Sequence, residues 1–462
     1  MRELVPTLRD YQIEAIDKIA QQHRVILGDQ QGLGKTLTSL VSSMELMDVK
    51  REILVFCPDI ALGTWCREAE KWFGEKGLIY SGRYDKRKRD EIWEQYQEEQ
   101  PLLLACTYAM IDEILERKPN WQAIICDEYH KVGLKNHKSQ TYKKFKKLRY
   151  RFLILSSGTP VSKGPHDLFA PLHLCNSYKF PAYWPFVNKY CIVLEDTFGK
   201  SIEPRPKDPQ QFASVIRPHL IRRKKKDVLN ELPDLQRQPI ELEMTRKQEQ
   251  LYNELMETDI LETPKGTIAC PNVATKLMRA RQLLVTPRIF GFDEDGAAVS
   301  AAIEAVKDSF DQNMPVAVTT PFKPAVTEIA KALREQLKDA DVYEIHGDIK
   351  EVPRNVADRF QDNPKTEKVL VFTVSSGMSF DAYSASNLYF VGAEWSAVDN
   401  EQAESRLHRM GQKNAVNAYY FLYPGTIDDG ILERLDENTM AQNWTLEPEK
   451  MAEKLRSTRR NQ

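Results

Sequence analysis

Strong charge of either sign is missing from this 462-residue chain: 65 Lys and Arg stand against 67 Asp and Glu, a net charge of −2. That excludes a binder that grips polyanions over its whole surface, so any such contact must come from local patches. Cys-x-x-Cys pairs are also missing. Cys57, Cys66, Cys106, Cys126, Cys175, Cys191 and Cys270 are scattered, mostly inside apolar runs, which excludes a disulfide framework or zinc module and suits a reducing compartment. His166, His173 and His219 show no metal-ligand spacing. The opening MRELVPTLRD has no apolar signal core, and no apolar stretch approaches the roughly 18–20 residues of a membrane span. The expectation is a soluble, monomeric, cytoplasmic protein of a bacterial or virus-infected cell, with no membrane partner. A nuclear location is compatible.

What is present is ordinary globular composition, 42% hydrophobic and 29% charged, in a length that suits roughly two or three domains. Short apolar runs alternate with helical stretches in both halves, the pattern of α/β architecture with parallel strands. Candidate strands in the first half are Val25–Leu27, Ile53–Cys57, Leu102–Cys106, Ile124–Asp127 and Phe152–Leu155. In the second half they are Val316–Thr319, Val342–Ile345, Val369–Thr373, Leu388–Val391 and Tyr419–Leu422, with a helix over Thr327–Leu337. Between roughly 161 and 300 the pattern degrades into what read as helical insertions and a connection, including a polar helix near Thr245–Met256. We therefore expect a first lobe over 1–232, with a helical insertion from about 161 to 232. A second lobe is expected over 233–462, with a helical start and C-terminal helices, divided near Leu232-Pro233.

Three pieces carry chemistry. The first is Gly32-Leu33-Gly34-Lys35-Thr36, after an apolar run and at the start of a helix. Asp29 occupies the first glycine position of the phosphate-loop pattern, so the strict motif fails. The glycines still let backbone N–H groups aim at phosphate. Lys35 would reach the β- and γ-phosphates of ATP, Thr36 would ligand Mg2+, and the helix N-terminus adds positive potential. The second is Asp127-Glu128 after the buried run Ala123-Ile124-Ile125-Cys126. Asp127 suits a metal-holding carboxylate, Glu128 would polarise the attacking water, and His130 would link the ATP site to the rest of the lobe. The third is Gln402, Arg406 and Arg409, spaced i, i+4, i+7 and therefore expected on one helix face. From there the two arginines would reach the γ-phosphate across an interlobe cleft. Two basic runs are less telling. Tyr142–Arg151 reads equally as a phosphate-binding or a solvated face, and Arg222–Lys226 reads as structural, with some DNA contact left open. Trp72, Trp93 and Trp184 are read as packing residues.

Nearly the whole chain resembles the Swi/Snf-type helicase-like ATPases of helicase superfamily two. Leu8-Arg9-Asp10-Tyr11-Gln12 resembles the opening "LRxYQ", which implies that Gln12 reads adenine. ILVFCPDIALGTWCREAEKW resembles the strand-and-Trp segment that contacts the DNA backbone. Thr107-Tyr108 resembles "TTY", and DEYH with Lys135-Asn136 resembles "DEAH…KN". Ser157-Gly158-Thr159-Pro160 resembles the "TGTP" turn coupling hydrolysis to DNA grip, and IRRKKKDVLNELP resembles "LRRxKxDVxxxLP". Arg281-Gln282-Leu283 with Pro287 is similar to "RQxxxxP", and His346-Gly347 with Arg354 and Phe360 is similar to a second-lobe segment. Glu394-Trp395 leading to Asp399, Gln402, Arg406, Arg409, Gly411 and Gln412 resembles "DWNPxxDxQAxxRxHRxGQ". Two departures stand out. DQQGLGKT replaces "DEMGLGKT", keeping Asp29 but putting Gln30 and Gln31 in place of Glu and Met. Ser375-Ser376-Gly377-Met378-Ser379-Phe380 replaces a glycine-rich stretch.

The resemblance implies two tandem RecA-like lobes that bind ATP and Mg2+ and move along double-stranded DNA, forked or branched DNA included. Gln12, Asp29, Gly32, Leu33, Gly34, Lys35, Thr36 and Gln402 would hold the nucleotide, and Thr36 and Asp127 the metal. The chain is nearly all motor, which suits a compact prokaryotic or viral member in repair, recombination, fork remodelling or protein displacement. A strand-separating DNA or RNA helicase, a motor subunit of a restriction-type complex and a nucleotide-gated DNA-binding scaffold stay open as alternatives.

Overall fold

The structure, a computed structural model, describes residues 7–46, 52–196, 199–229, 231–349, 351–376, 380–447 and 451. Residues 1–230 with 437–462 form one compact unit, and residues 231–436 form the other. Strands of the first unit are β1 (Arg24–Leu27), β2 (Ile53–Phe56), β3 (Gly77–Tyr80), β4 (Leu103–Cys106), β5 (Asn120–Asp127), β6 (Arg149–Ser156), β7 (Cys191–Asp196), β8 (Gly199–Pro206) and β9 (Leu220–Ile221). Those of the second are β10 (Leu235–Glu241), β11 (Ile260–Thr263), β12 (Gly266–Ala269), β13 (Val316–Thr320), β14 (Asp341–Ile345), β15 (Lys368–Thr373), β16 (Asn387–Val391) and β17 (Val416–Leu422).

Among the described residues the first unit holds a parallel sheet in the order β3-β4-β2-β5-β6-β1-β9, and the second a parallel sheet in the order β10-β17-β16-β13-β15-β14. The expected α/β architecture of two tandem RecA-like lobes is thus present. Parallel strands are covered on both faces, so they read as unbroken apolar runs rather than alternations. Their side chains divide by parity. Val25, Leu27, Ile53, Val55, Ile125 and Ile154 enter one core, whereas Ile26, Leu54, Phe56, Ile124, Cys126 and Leu155 enter the core on the opposite face. The second unit does the same with Val316, Val318, Val369 and Val371 against Ala317, Leu370, Phe372 and Phe390. Helices cover these faces by their own period. In Lys35–Glu45, Leu37, Leu40, Val41 and Met44 are buried at i, i+3, i+4 and i+7.

Several expectations need correction. The region from 161 to 300 is not purely helical: β7–β8 and β11–β12 are antiparallel hairpins. Trp93 is packed, but Trp184 is 50% exposed. Gly377, Met378 and Ser379 lie outside the described residues. All seven cysteines are free thiols, and Cys66 alone among them is not fully buried. No helix among the described residues is long and apolar enough to cross a membrane.

Candidate active site

Strand order builds the site. β6 lies between β1 and β5, in a register that sets Leu27, Ser156 and Asp127 side by side at the carboxyl edge, where parallel sheets present ligand-binding loops. The turn after β1 is therefore the phosphate loop, that after β5 carries the acid pair, and that after β6 carries Ser157–Pro160.

The loop enters its helix through Gly34, whose φ of 70° is left-handed. A Cβ there would sit 2.7 Å from Gln12 Nε2. The left-handed φ favours glycine, and a Cβ would also oblige the end of the Gln12 side chain to move. Lys35 and Thr36 follow as the first helical residues, with main-chain N–H groups that no preceding turn can satisfy. Lys35 Nζ donates to the Asp29 carbonyl at 3.0 Å. Burial lowers its pKa, while Glu128, Asp127 and Asp29 pull it back up. Gln12 is buried and reaches the Gly34 carbonyl at 3.5 Å and Thr38 Oγ1 at 3.4 Å.

Asp127 ends β5 and is held at three atoms. Trp65 Nε1 donates to Oδ2 at 3.1 Å, the Glu128 N–H donates to Oδ1 at 3.1 Å, and the Tyr108 hydroxyl donates to the main-chain carbonyl at 2.8 Å. Burial and the neighbouring Glu128 charge push its carboxyl up to about 6. Glu128 adopts φ 47°, a left-handed conformation that a non-glycine residue holds at a cost and that concentrates at functional turns. Its Oε2 lies 3.2 Å from His130 Nδ1, and its Oε1 accepts from Gln31 Nε2 at 3.4 Å. His130 Nδ1 is 2.8 Å from Ser157 Oγ, and Nε2 is 3.4 Å from Thr159 Oγ1. The expected link from the acid pair through His130 therefore ends on the turn after β6. That turn is tight: a Cβ on Gly158 would fall 2.5 Å from Gln31 Cγ.

The basic run 222–226 braces the phosphate loop. Arg222 Nη1 donates to the carbonyls of Gly28 (2.5 Å) and Gly158 (2.8 Å). Arg223 grips Asp29 with two bonds, of 3.1 and 2.8 Å, and also reaches the Tyr11 carbonyl. The Lys225 N–H donates to Gln30 Oε1 at 2.8 Å. Both glutamines that depart from the family pattern thus have polar partners within the site. Sequence reasoning missed this brace. The sequence marks the run as structural but carries no signal for its partners. A cavity of about 390 Å3 opens behind the brace, lined by Lys18, Arg217, Arg222, Arg223, Asp227 and Glu447 among others. Residues 29–36 are not among its lining.

In the second unit, Gln402 and Arg406 lie on the helix Ala397–Leu407, but Arg409 does not. The helix stops at Leu407 with His408 as its cap, so the expectation of three residues on one helical face is corrected. Arg406 Nη1 donates to the Phe380 carbonyl at 3.1 Å, and Arg409 pairs with Asp381. Both guanidinium groups thus have acceptors within their own unit. Gln402 is buried, and beside it Glu404 takes both arms of Arg237 at 2.7 and 2.6 Å.

The comparisons follow the same lines. A family model described as the SNF2-related domain matches residues 11–289. The CHD3-type chromatin-remodeling factor CHR7 of Arabidopsis thaliana is 26% identical over 93% of this chain and 37% of its own length. Nuclear protein STH1/NPS1 of Saccharomyces cerevisiae is 26% identical over 93% of this chain and 34% of its own. The chain therefore spans little more than a third of these curated relatives. The solved Sulfolobus solfataricus SWI2/SNF2 ATPase core in complex with dsDNA is 20% identical, with a TM-score of 0.45, over 97% of this chain and 96% of that one. Since the matched span takes in more than half of the sequence, phosphate loop and arginine brace included, this chain belongs to the SNF2-related domain family.

Proposed function

We propose that this chain is an ATP-hydrolysing motor that moves along double-stranded DNA. The observation that carries the reading is the shared carboxyl edge of β1, β6 and β5, which gathers Lys35, Asp127, Glu128 and His130. The printed name of the Arabidopsis relative, a chromatin-remodeling factor, supports DNA as the track.

In this reading the N–H groups at the start of the helix Lys35–Glu45 hold phosphate, and Lys35 exchanges the Asp29 carbonyl for a β- or γ-phosphate oxygen. Gln12, beside Gly34, reads the base. Asp127 and the Thr36 hydroxyl are hard oxygen donors of the kind that Mg2+ takes alongside nucleotide phosphates, so the donor set fits that ion. When bound, Mg2+ neutralises charge on the phosphates. Glu128, steadied by Gln31 and His130, orients the water and takes its proton. The second unit, residues 231–436, acts as the second lobe. Its Arg406 and Arg409 leave Phe380 and Asp381 for the γ-phosphate when the lobes close, and so make hydrolysis depend on closure. Protein clearance, fork remodelling, repair and recombination are roles compatible with such a motor.

ATPase rates measured with single-stranded, double-stranded and forked DNA and with RNA test the proposal. Double-stranded DNA should stimulate most, and the protein should displace a triplex-forming strand. Equal rates with and without DNA would refute it, and unwinding of a forked duplex by the chain alone would favour the strand-separating alternative.

A further inference from the structure

Trp65 lies within the segment whose resemblance implies DNA contact, yet it is 1% exposed. Its indole N–H is spent on a carboxylate, Asp127 Oδ2, at 3.1 Å. A packing role would be served by phenylalanine, which fills most of the same space without a buried donor to satisfy. The tryptophan is therefore matched to the oxygen it meets. Among the described hydrogen bonds, the Glu128 N–H is the other donor to this carboxylate, and it comes from the next residue and takes the other oxygen. The terminal torsion of an aspartate is broad when nothing holds it, and Trp65 is the contact that ties it to a helix 62 residues away in sequence.

We propose that Trp65 is a positioning residue for the metal site, fixing the rotation of the Asp127 carboxylate before Mg2+ arrives. The inference rests on the proposed reading of Asp127 as the metal carboxylate. Groups that orient a ligand in this way typically govern metal affinity by about 10–100-fold.

The test uses Trp65→Phe in the full chain, with Mn2+ as a paramagnetic probe titrated in the presence of a non-hydrolysable ATP analogue. Melting temperature of the metal-free protein is measured in parallel. Mn2+ affinity should fall about 10-fold while the melting temperature stays close to that of the unmodified protein. Excess metal should restore turnover. Unchanged Mn2+ affinity overturns the inference, as does a loss that appears only together with a collapse in melting temperature. Asp127→Asn separates the two readings. If it abolishes Mn2+ binding while Trp65→Phe leaves Mn2+ affinity unchanged, the role of Trp65 alone is wrong. If Asp127→Asn binds Mn2+ normally, the metal assignment beneath it is wrong as well.

Discussion

Replacing Arg223 by alanine should damage the protein through its phosphate loop rather than through DNA affinity. Arg223 is 14% and Asp29 2% exposed at the side chain, and they meet through two hydrogen bonds of 3.1 and 2.8 Å. Removing one partner of a buried pair strands the other charge, at about 3–5 kcal/mol. The partial exposure of the arginine favours the lower end, about 3 kcal/mol. At roughly 2–4 °C per kcal/mol for a body of this size, the melting temperature should fall by about 6–12 °C. ATP binding should weaken with it, because the same arginine also holds the Tyr11 carbonyl beside Gln12. Asp29→Ala combined with Arg223→Ala should be less damaging than Arg223→Ala alone, since no orphan carboxylate remains. Thermal unfolding of the single and double variants, with nucleotide binding alongside, reads this out. If Arg223→Ala melts normally and only loses DNA affinity, the brace is misread and the run is a DNA contact after all.

Lys35→Ala should lose ATP turnover through lost phosphate binding, whereas Glu128→Gln should still bind a fluorescent nucleotide yet fail to hydrolyse it; steady-state turnover with a binding titration separates the two. Arg409→Ala should bind ATP normally but lose at least about 10²–10³ in DNA-stimulated rate, and normal hydrolysis would remove it from the finger role. Asp428, whose carboxyl burial pushes up to about 6, holds its proton more tightly folded than unfolded. Its ionisation therefore opposes folding by about 3 kcal/mol above pH 6, and this penalty fades as pH falls towards 4. Asp428→Asn should melt higher than the parent at pH 8 and nearly equally at pH 4; equal melting at pH 8 would contradict the shift.

The strands that carry chemistry were legible because burial on both faces leaves a continuous apolar signature. Ile53–Cys57 was expected where β2 runs Ile53–Phe56, and Val369–Thr373 where β15 runs Lys368–Thr373. β10 was not legible. It is an edge strand that pairs with β17 alone, contains Pro239 and is largely exposed, so it carries neither the run nor the alternation of a buried strand. The arginine brace was illegible for a different reason. Its acceptors, the Gly28 carbonyl and Asp29, lie 194 residues away in sequence, and a local run of charge looks the same whether it faces solvent or a distant carbonyl. Placing Arg409 on a helix failed because side-chain spacing does not reveal where a helix stops. Here it ends at Leu407, and Gly411 follows at φ 100°.

The side-by-side alignment of Leu27, Ser156 and Asp127 makes β6 an indexing element. Alternate residues of a strand face opposite ways, so adding or deleting a single residue between Arg149 and Ser156 would reverse the facing of everything after it. Ser157 would turn from His130, and the Gly158 carbonyl from Arg222. The β7–β8 hairpin, by contrast, meets neither neighbour of the phosphate loop in its pairing. Length variation in this lobe is therefore expected to collect in such outlying ribbons, while the span of β6 stays fixed to the residue.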